Sequence, residues 1–466
     1  METVFGAVFC VALFAVVFIT SRMRKKAMQK LYEQFQEKDF AYTLVFGSYD
    51  WGPGTEKIIL NVGKTAEKFS EADFAPEKFT VTVKSETPDS TAVEAKIPVK
   101  RAFFCDIDGN EILRSDDSDD DGNSVGYDEI SSATHIALEL EPHPDDGFTS
   151  PFVCEPESEM NRWKKVYDFK ISHPNFESEM TECSDWFSPA AQKFKPFKTN
   201  GKLGAASFVP ENAKDKKKHP LIVWFHGLGE GGTDVNVVTL GNKVTSLAGK
   251  DIQSHFDGAF VLCPQTKTLW MQKGENPSDL VDGAESGDEI SSVSLVKEKS
   301  SIYTAECKAV IDRFIRKNPS IDRNRIYVGG CSNGGYMTLN MLLNYPGFFA
   351  GAFPVCEAYR DSWICDEDLR KLSSVPIWFV ASKNDGTVAS EKCTQATFKR
   401  LSAISEKNVR ISLFDSVKDT SGKYSDGNGN PYEYNGHWSW IPLFNDECRD
   451  ADGKSLWEWL SEQKKI

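Results

Sequence analysis

Two rhythms of apolar and polar positions divide the chain. Between residues 42 and 172, short β-rich runs at 57–62, 79–83, 97–104, 135–140 and 167–171 are separated by polar turns. Several short strands with turns between them predict a small β-sandwich. From residue 202 onward, buried-looking strands at 220–225, 259–263, 375–380 and 409–414 alternate with stripes at helical spacing, such as Tyr303, Cys307, Val310, Ile311 and Phe314. Asn318-Pro319 stops that helix, and Leu456, Trp457, Trp459 and Leu460 mark a last amphipathic one. Alternation of this kind predicts an α/β domain, a mostly parallel sheet with helices on both faces, preceded by the smaller β-domain. The polar and aromatic stretch 173–201 reads as the linker between them.

At the centre of the second region a short apolar run, Arg325 to Val328, feeds Gly330-Cys331-Ser332-Asn333-Gly334, and a helix-like run from Tyr336 to Leu343 follows. Strand, sharp turn and helix around G-x-S-x-G expose a serine hydroxyl above a sheet, and small residues two before and two after it avoid a clash in the turn. Ser332 is therefore the candidate nucleophile, with the Asn333 amide as half of an oxyanion site. In α/β-hydrolases an acid and then a histidine follow the serine. Of seven histidines, one, His437, lies beyond Ser332, so it is the candidate base. Twelve carboxylates lie between them. Asp385 stands at the carboxyl end of the 375–380 strand, where open α/β sheets place their sites; Asp415, just past the next strand, is the runner-up.

Upstream, the 220–225 strand ends in His226-Gly227-Leu228-Gly229-Glu230-Gly231-Gly232, the place and composition of the loop that supplies the second oxyanion donor. The Gly227 and Leu228 backbone is assigned that role, and His226 is read as structural. Glu230, Trp270 and Trp438 are the candidate pocket residues; for Trp270 a packed aromatic is the competing reading.

Together with Pro264-Gln265, Asn384-Asp385 and Gly436-His437-Trp438-Ser439-Trp440, these motifs resemble the α/β-hydrolase esterases. More narrowly they resemble a secreted group with an N-terminal immunoglobulin-like domain. The resemblance covers the chain from about Lys202 to the C-terminus well and residues 50–172 loosely. It implies a serine carboxylic ester hydrolase whose nucleophile, acid and base match Ser332, Asp385 and His437. It requires neither metal nor organic cofactor, and its substrate is a small-molecule or polymer-linked ester. Many relatives carry the label of prolyl-oligopeptidase-type peptidases, the alternative reading. That type needs an N-terminal propeller of repeated blades, which about 170 residues without a repeat do not supply. A non-catalytic hydrolase-fold binding protein is the third reading, and it has no need of all three groups in order.

Charge and cysteines change this picture little. A net charge of −15 argues against a nucleic-acid surface. Eleven cysteines contain no C-x-x-C pair, so zinc and thioredoxin-like readings are poor. The acidic run 116–123, with Asp128, imitates part of a calcium loop but lacks the bidentate glutamate, and is read as solvated. Residues 270–299 form a long polar connection. Residues 1–26 are a targeting segment: 4–19 is apolar throughout, and Arg22, Arg24, Lys25 and Lys26 follow it. No small-x-small cleavage site is visible, which favours a membrane anchor; a cleaved signal and secretion are the alternative. The expected domains are thus 1–26, 42–172, 173–201 and 202–466.

Overall fold

The computed structural model describes residues 40–112, 134–274 and 300–465. The targeting segment, the acidic run 116–123 and most of the 270–299 connection lie outside the described residues. Among the described residues no helix is long and apolar enough to cross a membrane.

The N-terminal part is β-structure. Strands β1 (Ala41–Tyr49), β2 (Gly52–Asn61), β3 (Thr80–Glu86), β4 (Ala92–Ile97), β5 (Arg101–Cys105), β6 (His135–Glu139), β7 (Phe152–Cys154), β8 (Asn161–Trp163), β9 (Tyr167–Ser172) and β10 (Cys183–Phe187) follow in order. They form a five-stranded sheet, β10-β1-β2-β6-β5, a three-stranded sheet, β4-β3-β9, and the pair β7-β8. Leu44, Ile58, Leu60 and Leu138 from the larger sheet share one apolar cluster with Val81, Val83, Phe169 and Ile171 from the smaller. Strand alternation sends every second side chain into that common core.

Two sequence expectations change here. The run 97–104 is not one strand: Pro98 separates β4 from β5, and the two belong to different sheets. Proline has no N–H to give to a ladder, so the chain leaves one sheet there and enters the other. The stretch 173–201 is not a free linker either. Its β10 pairs in parallel with β1, and Lys195–Pro196 (β11) joins the sheet of the C-terminal part.

That sheet continues with β12 (Gly204–Phe208), β13 (His219–Phe225), β14 (Phe260–Gln265), β15 (Ile321–Cys331), β16 (Gly351–Val355), β17 (Ile377–Ser382) and β18 (Val409–Phe414), in the order β11-β12-β14-β13-β15-β16-β17-β18. From β14 to β18 every pairing is parallel. Along β13, Leu221, Val223 and Phe225 enter one core cluster and Ile222 and Trp224 the other, as a sheet buried on both faces requires. The chain moves from β13 outward to β14, then returns to the other side of β13 as β15. Loops after β13 and β15 therefore part in opposite directions and leave a crevice at their carboxyl ends, the usual ligand position in such sheets.

The β-domain touches the segments that follow β13 and β18. Lys243 Nζ lies 2.7 Å from Asp50 Oδ1, Trp163 Nε1 donates to Asp234 Oδ2 at 2.6 Å, and Tyr432 OH donates to Asp145 Oδ1 at 2.6 Å.

Candidate active site

Ser332 stands between β15 and the helix Asn333–Asn344 with φ 55° and ψ −117°. Side chains other than glycine rarely adopt positive φ, and such a residue holds of order 1–3 kcal/mol of strain. The turn is pinned from three sides: Ser332 N–H donates to Val355 O at 2.9 Å, and its carbonyl accepts from Tyr336 N–H at 3.0 Å and Ala358 N–H at 3.2 Å. The glycines of the motif have a steric reason. A Cβ on Gly330 would lie 2.6 Å from Phe225 O, and one on Gly334 2.0 Å from the same oxygen. The elbow is thus pressed onto the end of β13, and the serine itself remains half-buried.

The adjoining cysteine is no rival. Cys331 is fully buried, and burial holds its thiol well above the ordinary range, so the thiolate that attacks is not formed.

Asp385 and His437 meet directly. His437 Nδ1 lies 2.8 Å from Asp385 Oδ2, while Asp385 Oδ1 accepts from the amides of Thr387 and Val388, both at 2.8 Å. A carboxylate is an acceptor, so this contact puts the imidazole proton on Nδ1 and leaves Nε2 as the basic nitrogen. The Asp385 side chain is 1% exposed; that of Asp415 is 89% exposed and pairs with Lys383 at 2.7 Å. Of the two acids considered from sequence, only Asp385 faces the histidine. Its strand, β17, is separated from β15 by β16 alone, so Ser332 and the Asp385–His437 pair emerge from the same edge of the sheet. The His437 ring stands edge-on to Trp440, centroids 5.9 Å apart, and Trp438 packs on Trp440 and Tyr434.

Two assignments around the site need correction, and for Trp270 the competing reading holds. Gly227 is not a free oxyanion donor, because its N–H donates to Glu230 Oε2 at 3.0 Å. Glu230 is not a wall of the pocket: it is 3% exposed, buried beneath the loop it belongs to. Trp270 is a packed aromatic, fully buried, with its ring 5.2 Å from Phe225 and 4.8 Å from His226. It ties the two loops together: its N–H donates to Asn333 Oδ1 and its indole N–H to His226 O at 3.0 Å. His226 is structural, as its place implied; burial lowers its pKa to about 4, which keeps the ring neutral while Nε2 accepts from Thr266 N–H.

Sequence reasoning missed Glu357. It is fully buried beside the elbow, where it accepts from Tyr359 N–H at 2.6 Å and Thr394 Oγ1 at 3.4 Å, and burial holds its carboxyl well above the usual range. Its position just past β16 at the carboxyl edge was the available signal. Among the described residues no cluster of histidine, cysteine or carboxylates could hold a metal ion.

The prolyl oligopeptidase family model matches residues 297–360, the segment that spans the elbow and the elements on both sides of it. A solved structure described as a thermostable esterase has a TM-score of 0.64 over 91% of this chain and 99% of its own, at 22% identity. The chain has the α/β-hydrolase fold. Weaker likenesses are an acylaminoacyl peptidase bound to Z-Gly-Gly-Phe-chloromethyl ketone (TM-score 0.35, 15% identity, 60% of this chain and 44% of that one) and an S-formylglutathione hydrolase from Agrobacterium tumefaciens (0.35, 14%, 58% and 94%). No curated protein matches the sequence. The family match on the elbow and the site's geometry together support a serine hydrolase.

Proposed function

We propose that the protein is a serine carboxylic ester hydrolase working through an acyl-enzyme. Ser332 attacks the ester carbonyl, His437 Nε2 takes its proton and returns it to the leaving alcohol, and Asp385 holds the imidazole in the required tautomer. The amides of Leu228 and Asn333 stabilise the oxyanion; Asn333 begins a helix, whose first N–H groups have no partner inside it. The observation that carries this reading is the 2.8 Å Asp385–His437 contact at the sheet edge that holds the strained Ser332.

Preference for esters over peptides is supported by the N-terminal part, whose described residues form two small sheets and a strand pair, where a prolyl-oligopeptidase-type propeller would need repeated blades. The structure described as a thermostable esterase, spanned almost completely by this chain, also favours it. We read the two N-terminal sheets as a β-sandwich of immunoglobulin-like type on the strength of their shared core. Amide hydrolysis needs the leaving nitrogen protonated as it departs, whereas alcohols leave readily from a triad with an oxyanion site.

A fluorophosphonate probe should label the wild type and Cys331→Ala but not Ser332→Ala, which should lose at least about 10³-fold in ester hydrolysis. Short-chain p-nitrophenyl esters should exceed matched prolyl amides by at least about 100-fold in kcat/KM, about 2.7 kcal/mol of discrimination. Amides turning over as fast as esters would replace this reading with the peptidase one.

A further inference from the structure

A buried carboxyl that the triad does not use lies under the loop after β13. Glu230 Oε2 accepts from Gly227 N–H at 3.0 Å and from Asn242 Nδ2 at 2.8 Å, and Oε1 accepts from Asn161 Nδ2 at 3.4 Å. Asn242 Nδ2 is also 3.4 Å from Cys331 Sγ, so one side-chain amide joins Glu230 to the residue before the nucleophile. Asn161 belongs to β8, which brings the β-domain into the same group of contacts. Room for the side chain is left by Gly241, where a Cβ would come within 2.7 Å of Glu230 Cγ.

The backbone gives this arrangement a consequence. Gly227 is extended, with φ −73° and ψ −174°. With those two dihedrals set between planar peptide units, the direction of the Gly227 N–H fixes that of the N–H that follows it. Anchoring the Gly227 amide on Glu230 therefore fixes the Leu228 amide as well, and Leu228 itself is only partly buried. A carboxyl buried at this depth is raised to about 7, which disfavours its ionised form at neutral pH; its two acceptor oxygens serve three donors.

We infer that Glu230 is a positioning residue for the oxyanion site: by taking the Gly227 amide it presents the Leu228 amide to the carbonyl oxygen of an ester bound at Ser332. This inference rests on the esterase reading above.

Steady-state kinetics on a p-nitrophenyl ester test it with three variants. Glu230→Ala should lower kcat by about 100-fold, the scale of one lost oxyanion donor, with KM changed less than about threefold and fluorophosphonate labelling slowed in proportion. Glu230→Gln keeps an acceptor oxygen for Gly227 and should stay within about threefold of the wild type. Leu228→Pro deletes the proposed donor without touching Glu230, at a first helical position that tolerates proline, and should match the Glu230→Ala loss. The two losses should not add when combined. Wild-type kcat in Glu230→Ala or in Leu228→Pro overturns the inference, as does a Glu230→Gln enzyme as slow as Glu230→Ala. Should Glu230→Ala fail to fold, the other two variants still decide. A wild type that neither hydrolyses esters nor labels would overturn the functional reading itself, a result distinguishable from all of these.

Discussion

Gly436 is pressed against Asn384 so closely that a Cβ on the glycine would lie 2.4 Å from the Asn384 carbonyl oxygen. These two residues immediately precede His437 and Asp385. The contact between the loops therefore sets the distance between the two side chains, and the 2.8 Å imidazole–carboxylate bond is its consequence. Because the obstacle is backbone, Gly436→Ala must push the loops apart. A displacement near 1 Å at a catalytic group costs about 100-fold. Gly436→Ala should lower kcat on esters by about that factor while circular dichroism stays native; wild-type kcat would mean that the loops accommodate the methyl group without moving His437.

The two acids differ in what they hold. Asp385→Asn exchanges a carboxylate oxygen beside His437 Nδ1 for an oxygen or a nitrogen of an amide, and the wrong tautomer follows when the nitrogen faces the ring. Its kcat should fall by about 10³- to 10⁴-fold with the fold intact. Asp415→Asn removes an exposed ion pair with Lys383, of a kind that contributes about 0–1 kcal/mol, and should leave ester hydrolysis within about twofold of the wild type. Equal effects of the two substitutions in the same assay would contradict the assignment of the acid.

How far such a site can be read from sequence depends on whether local pattern or distant contact decides. Ser332 was legible because the elbow needs small residues at fixed offsets, and the two clashes with Phe225 O are the physical form of that rule. His437 followed from chain order, and Asp385 from its place at a strand end. Strands β13, β14, β15, β17 and β18 were legible as apolar runs, whereas β11, β12 and β16, short and built largely of small or polar residues, went unread. Strand β10 was not legible either: Cys183–Phe187 lies at a sheet edge and is almost entirely exposed, so it carries no apolar run to find. The roles of Gly227 and Glu230 were misread, and that of Trp270 was left open between two readings, for different reasons. Glu230 stands three residues after Gly227, a capping-box spacing that was available in the sequence, whereas Trp270 depends on contacts with His226 and Asn333 across the fold that no local spacing reports.

Trp270 supplies a prediction from those contacts. A fully buried tryptophan packed on Phe225 and His226 holds the oxyanion loop and the helix start together, and it contributes nothing to a pocket wall. Trp270→Ala should destabilise the protein by about 3–5 kcal/mol, seen in denaturant unfolding. Across a series of acyl-chain lengths, the ratio of kcat/KM values should stay as in the wild type. A changed chain-length preference with unchanged stability would restore Trp270 to the pocket.

Glu230 gives the protein a pH dependence whose sign follows from its burial. Its carboxyl titrates near 7 in the fold against 4.5 as the ordinary value, so between those limits the folded chain keeps a proton that the unfolded chain has released. Stability then falls as pH rises, because it falls wherever the native state binds more protons. The contribution is fully present below about 4.5, is lost between there and about 7, and amounts to roughly 3 kcal/mol in all at 1.36 kcal/mol for each pH unit. Glutamine at this position does not titrate and still offers Gly227 and Asn242 an oxygen. The Tm of Glu230→Gln minus that of the wild type should therefore be near zero at pH 4.5, increase through pH 6, and level off by pH 8. Thermal unfolding of both proteins across that range measures it. A difference independent of pH would mean that the Glu230 carboxyl is ionised in the fold throughout, and that its contacts with Gly227, Asn242 and Asn161 compensate its burial in full.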